Sequence, residues 1–206
     1  MSRYWNLDGY NRSGSCCIIW KDGRKRRGDF LRPEYTDLTC ADCGRVDVLK
    51  SLRRGIVPNV KIPRTPGDYF RSDDRLNVMS SRMKEAFEGI RGVRLKYFAI
   101  PESDWWVAWP AKVFYSEKQT GYHPVGGIAV ESDALEVSGP TCGTCGRIRE
   151  LRWKSDRFHV PHKVAVAGVY LQVAGIASTS LIISDAVKEV LESAELKRWR
   201  AHPIGP

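Results

Sequence analysis

The chain has only four histidines in 206 residues, His123, His159, His162 and His202, and they show no evident catalytic partner arrangement. It also lacks the GxSxG, HExxH and glycine-rich phosphate-loop patterns, Gly126-Gly127 being only a pair. Hydrolase, metalloprotease and nucleotide-binding chemistry therefore find no motif here, and a protein that is not an enzyme is expected. Long apolar runs are missing too. No stretch of about 18 apolar residues exists, so no helical membrane span is expected. The opening residues, Met1-Ser-Arg-Tyr-Trp-Asn-Leu-Asp, lack the apolar core of a secretion signal, which predicts cytoplasmic residence. Thiols stay reduced there, and paired cysteines more often bind metal.

What the chain does have is a matched pair of thiol clips. Cys40-Ala-Asp-Cys43-Gly44-Arg45 is echoed 102 positions on by Cys142-Gly-Thr-Cys145-Gly146-Arg147. Two residues between cysteines let one tight turn aim both sulfurs at an ion, and a glycine after the second cysteine permits the left-handed backbone such a knuckle needs. Cys40, Cys43, Cys142 and Cys145 are thus the expected ligands of one structural Zn2+. Redox or disulfide clips compete with this reading, although Gly44 and Gly146 suit the opening turn of a redox helix poorly. Unligated buried thiols are the third option. A two-cysteine, two-histidine finger from Cys142, Cys145, His159 and His162 fails, because only two residues separate the histidines and Pro161 blocks a helical turn. Cys16 and Cys17 precede Ile18-Ile19-Trp20 in what reads as a buried strand, where neighbours point to opposite faces, so they read as core.

The formal charge is +9, which four thiolates and a divalent ion would lower to about +7. The densest basic cluster runs from Lys21 to Arg27 in a turn marked by Asp22, Gly23 and Gly28, and a second stretch includes Arg45, Lys50, Arg53, Arg54, Lys61 and Arg64. Such patches attract acidic partners or nucleic acid when they are more than a solvated loop tip.

The clips belong to a longer echo. Val78-Met-Ser80 through Glu88 matches Ile182-Ile-Ser184 through Glu192 at an offset of 104. Ser80 and Ser184 are expected helix caps. Met83, Ala86, Phe87 and Ile90 form the apolar face of the first helix, and Val187, Val190, Leu191 and Ala194 that of the second. Gly92 ends the first helix, after which Val93 to Ile100 reads as a strand, and Leu196 to Pro203 repeats that exit less cleanly. Trp105-Trp-Val-Ala-Trp109 alternates as a strand that Ala111 to Tyr115 continues beyond Pro110. Val164 to Gln172 reads as another strand, and Gly55 to Gly67, with three prolines, as an extended crossing segment.

Between Cys43 and Cys142 lie 98 residues, far too many for a structureless ribbon loop, so the insert must fold. These readings predict an α+β fold of two related lobes. Each is a mainly antiparallel sheet with an amphipathic helix, and a split zinc-ribbon-like four-cysteine site joins them. One zinc-stapled domain would span 1–206, with lobes at about 1–139 and 140–206 and an internal repeat at about 40–100 and 142–204.

Two CxxCG knuckles in a chain of this size, followed by Leu181-Ile-Ile-Ser-Asp-Ala-Val-Lys-Glu-Val-Leu-Glu192, resemble the double-CXXCG motif proteins expanded in myxobacteria. That family includes immunity proteins against swarming-associated, contact-delivered toxins. The resemblance covers the knuckles and the final helix, about a third of the chain. It implies a zinc-dependent scaffold that binds a cognate protein toxin in the cytoplasm and blocks it, with no membrane partner. The basic charge departs from acidic inhibitors that mimic nucleic acid. The expected partner surface is Trp105, Trp106 and the loop residues Arg24, Lys25, Arg26 and Arg27. The competing function is a zinc-ribbon module for nucleic acid, supported by the basic loop and many aromatics; Arg45 and Arg147 have the nearer task of offsetting the thiolate charge.

Overall fold

Two sheets and three helices carry the described part of the chain, residues 3–9, 16–20, 31–64, 66–118, 123–161, 163–173 and 176–205 of the computed structural model. In chain order the first elements are β1 (Tyr4–Gly9), a 3-10 helix (Pro33–Leu38), α1 (Val48–Arg54), β2 (Tyr69–Arg71), β3 (Asn77–Ser80), α2 (Ser81–Glu88), β4 (Leu95–Ala99) and β5 (Trp105–Pro110). There follow β6 (Val113–Ser116), β7 (Gly127–Val130), β8 (Leu135–Thr141), β9 (Ile148–Trp153), a 3-10 turn (Ser155–Arg157), β10 (Val166–Val173), β11 (Ile176–Ser184), α3 (Asp185–Ser193) and β12 (Trp199–Ile204). The fold is therefore mixed α+β. Among the described residues no helix is long and apolar enough to cross a membrane.

The smaller sheet has the order β2-β3-β5-β4, all antiparallel. Its tryptophans alternate between two cores as the period-two pattern dictates, Trp109 buried and Trp105 and Trp106 half-buried. Trp105, Val107 and Trp109 join the core around Phe70 and Val78, while Trp106 and Ala108 face a second core with Tyr69, Met79 and Met83. The larger sheet runs β12-β1-β11-β10-β6-β7, with β9 also on β10 and β8 on β9. It takes strands from both sides of residue 139. Pro110 ends β5, and the chain crosses to the larger sheet, where β6 lies parallel to β7 and β10. The expected continuation of the tryptophan strand past Pro110 is thus a change of sheet.

One local arrangement occurs twice. β3 leads through a serine into α2 and out to β4, with β5 inserted antiparallel between the two strands. β11 leads through a serine into α3 and out to β12, with the N-terminal strand β1 inserted in the same way. Met79 sits opposite Trp106 and Ile183 opposite Trp5. The Trp106 indole donates to Ser81 Oγ at 3.1 Å, and that of Trp5 to Asp185 Oδ1 at 2.6 Å. Lys84 lies 4.9 Å above the Trp106 ring and Lys188 4.7 Å above Trp5, and each lysine pairs with the glutamate one turn on, Glu88 or Glu192. Met83 and Phe87 of α2 and Val187 and Leu191 of α3 share one core.

Three local expectations need correction. Ser80 caps α2, accepting from the Met83 N–H at 3.2 Å, but the Ser184 side chain makes no cap bond. Val190 is exposed, leaving α3 a narrower apolar stripe. Cys16 and Cys17 are core residues just before a bend at Ile18 and Ile19, and their segment has no strand partner among the described residues before a single bridge at Trp20. The reason is the buried Asp74 carboxylate, whose Oδ2 takes the N–H groups of Ile18 at 2.7 Å and Ile19 at 2.6 Å that a strand would have used.

Candidate metal centre

Each clip sits at the tip of a short antiparallel pairing. Thr39 bridges Val46 around the first, and Thr141 pairs with Ile148 around the second, where β8 turns into β9. Inside them the backbone repeats bond for bond. Cys40 N donates to Arg45 O and Gly44 N to Cys40 O, both at 2.9 Å; Cys142 N to Arg147 O and Gly146 N to Cys142 O do the same at 2.9 Å. The glycines hold φ of 65° at Gly44 and 68° at Gly146, the left-handed region where a Cβ is strained.

The chain's long insert folds so that these tips meet. Cys40 Sγ lies 3.7 Å from Cys142 Sγ, Cys43 Sγ lies 3.5 Å from Cys145 Sγ, and all four sulfurs fall within 4.8 Å of one another. A tetrahedron with metal–sulfur bonds of 2.3 Å has edges of about 3.8 Å, so the set fits a four-coordinate thiophilic ion. All four cysteines are free thiols, and sulfurs of the two clips meet each other in two cross-clip pairs. His159 is exposed and outside the cluster, and His162 lies outside the described residues.

Backbone geometry sets the four thiols apart. The N–H of Cys43, and then that of Asp42, hold the Cys40 thiol down to about 7, and those of Cys145 and Thr144 lower Cys142 in the same way. Burial pushes Cys43 up to about 12 and raises Cys145, against the opposing N–H groups of Arg45 and Arg147. The outer pair is thus biased toward the thiolate and the inner pair toward the thiol.

Around the sulfurs the clips are tied directly to each other. Thr144 Oγ1 donates to the Asp42 carboxylate, and Arg45 Nη1 donates to Arg147 O at 3.2 Å. Arg45 and Arg147 are 8 % and 5 % exposed, beneath the clips. Arg147 Nη2 reaches Asp47 Oδ2 at 3.5 Å, and Asp47 Oδ1 caps α1 by accepting from Lys50 N at 3.1 Å. Asp47 therefore links the second clip to the helix that follows the first. Sequence reading missed it, although an aspartate just before Val48-Leu49 and a glycine at 55 mark a short capped helix.

The other expected site residues lie elsewhere. Trp105 and Trp106 are half-buried on β5, Trp105 with its ring 5.4 Å from that of Phe70. The loop with Arg24, Lys25, Arg26 and Arg27 lies outside the described residues. The structure thus contains a four-cysteine cluster positioned to hold a metal ion. No protein-family model, no curated protein and no solved structure matches the chain.

Proposed function

We propose that this chain is an immunity protein that binds and neutralises a cognate protein toxin in the cytoplasm, on a scaffold held by structural zinc. The observation that carries the reading is the set of four sulfurs within 4.8 Å of one another: as thiolates on one ion they would fill a tetrahedral sphere and leave no position for substrate or water. Such an ion supports a surface and does no chemistry on a ligand. The resemblance of both CxxCG knuckles and the final helix to double-CXXCG proteins supplies the class of partner. The matched strand-serine-helix-strand units support two related lobes, with β1 and β5 in equivalent places. Burial of Arg45 and Arg147 removes two cations that a nucleic-acid ribbon would present.

Co-expression with the toxin encoded beside its gene tests the proposal. Growth rescue together with a complex that survives gel filtration is the expected result. Absence of both overturns it, and a mobility shift of DNA or RNA that fades steeply with salt would point to the nucleic-acid function.

A further inference from the structure

β4 is the edge of the smaller sheet, and its outer side pairs with no strand among the described residues. Its ladder with β5 fixes which backbone groups face away. Ile100 N donates to Trp105 O at 2.9 Å and Ala111 N to Arg94 O at 3.0 Å, and in an antiparallel pair the bonded positions alternate. Arg94, Lys96 and Phe98 therefore direct their N–H and C=O groups at β5, whereas Leu95, Tyr97 and Ala99 turn theirs outward.

The other sheet edges are blunted. β2 has three residues, β7 has four with Gly127 at its start, β8 carries Gly139, Pro140 and a register shift, and β12 carries Pro203. β4, the five residues Leu-Lys-Tyr-Phe-Ala, has no proline, no glycine and an unbroken register. Its two faces differ in chemistry. Arg94 and Lys96 are exposed on one, with Arg91 in the turn before β4 and Lys112 just past β5, and none of the four has an ion pair among the described residues. The carboxylates of the β4–β5 turn, Glu102 and Asp104, lie at the far end of the hairpin. On the other face Leu95 and Tyr97 are half-buried at the margin of the core that α2 and α3 share. A second copy of the chain fits this edge poorly, since pairing β4 with itself sets arginine and lysine against arginine and lysine.

We propose that β4 accepts an added strand from a protein partner, one whose side chains alternate between acidic, against Arg94 and Lys96, and apolar, against Leu95 and Tyr97. The inference rests on the reading of the chain as a protein-binding scaffold, and its net charge of +9 favours an acidic partner. Main-chain bonds to Leu95, Tyr97 and Ala99 supply affinity, and the alternation supplies specificity.

The test titrates the metal-loaded, ¹⁵N-labelled chain at low salt with the blocked peptide Glu-Val-Glu-Val-Glu-Val, its lysine counterpart, and the glutamate peptide N-methylated at every residue. The amide resonances of Leu95, Tyr97 and Ala99 shift saturably, and their hydrogen exchange slows, with the unmethylated glutamate peptide alone. Ala99→Pro, which removes an outward donor and no ladder bond, abolishes the response. Lys96→Glu, at an exposed position, weakens it up to about fivefold and carries the test if the proline variant does not fold. No response, or an equal response to the N-methylated peptide, overturns the added strand; so does a dimer of the unmodified chain that Ala99→Pro dissolves. In the toxin complex Lys96→Glu lowers affinity; full retention would sink the edge as the interface and leave the immunity function standing. Failure of the unmodified chain to bind any toxin would do the reverse, since the peptide titration is read independently.

Discussion

Arg45 Nη1 donates to the carbonyl of Arg147, so a residue of the first clip bonds its own counterpart in the second. The same holds for Cys40 with Cys142, Cys43 with Cys145 and Asp42 with Thr144, each pair 102 positions apart. Contacts between equivalent positions are what an approximate local two-fold relation of the clips produces, although Arg147 turns to Asp47 where Arg45 meets its counterpart. Neither clip is then the primary site and the other an accessory.

Symmetry makes the effect of ligand removal specific. Cys43→Ser and Cys145→Ser should release the ion to the same extent and lower the unfolding midpoint equally. Structural zinc contributes an apparent free energy on the order of 10 kcal/mol, so either loss is expected to approach global unfolding. Elemental analysis should find one zinc per chain before substitution, and chelation should reproduce the variants. A variant of one clip that keeps full metal would refute the shared centre.

Asp74 is the second anchor. Burial pushes its carboxyl pKa up, against the hydrogen bonds of Ser72 Oγ and the N–H groups of Ile18, Ile19 and, at 3.5 Å, Trp20. All three N–H groups converge on Oδ2, while Oδ1 meets the Ser72 hydroxyl, which can donate or accept. Asp74→Asn should therefore cost about 2–3 kcal/mol in chemical denaturation and speed hydrogen exchange at residues 18–20. Unchanged stability would show that these amides need no charged acceptor.

Much of this architecture was readable where the determinant is local. The knuckles follow from Cys-x-x-Cys-Gly, α2 from Ser80 and the Met83–Phe87 spacing, and β5 from alternating tryptophans, because turn chemistry and side-chain period act within a few residues. The same rule explains the misses. Insertion of β1 between β11 and β12 depends on pairing residues about 176 to 200 positions apart, which no local pattern reports. The bend at Cys16 to Trp20 looked like a strand because its apolar run is continuous, and only Asp74, 54 to 56 residues on, tells otherwise.

The two helix starts give an internal control. Ser80 Oγ accepts from Met83 N and donates to Asp68 Oδ1 at 2.5 Å, whereas Ser184 makes no side-chain cap. Ser80→Ala should destabilise by about 1–2 kcal/mol, and Ser184→Ala by less than about 0.5 kcal/mol. Thermal or urea unfolding of the two variants measures the gap, and equal losses would contradict the difference in geometry.

The paired tryptophans extend that logic from the cap to the tertiary fold. Both indoles bond the first residue of the neighbouring helix, but Trp106 meets the neutral hydroxyl of Ser81 while Trp5 meets the carboxylate of Asp185 at 2.6 Å. A charge-assisted bond is roughly twice as strong as a neutral one, and the Trp5 bond also fastens the first described strand to the last helix, across 180 positions of chain. Double-mutant cycles separate these contributions from the area each ring buries. Trp5→Phe with Asp185→Ala should show a coupling of about 1.5 kcal/mol, and Trp106→Phe with Ser81→Ala about half of that. Raising salt to about 1 M should shrink the first coupling toward the second, because only it carries a charge that ions screen. Equal couplings at low salt would mean that Asp185 acts as an ordinary acceptor, and that β1 is held by sheet pairing and core contacts alone.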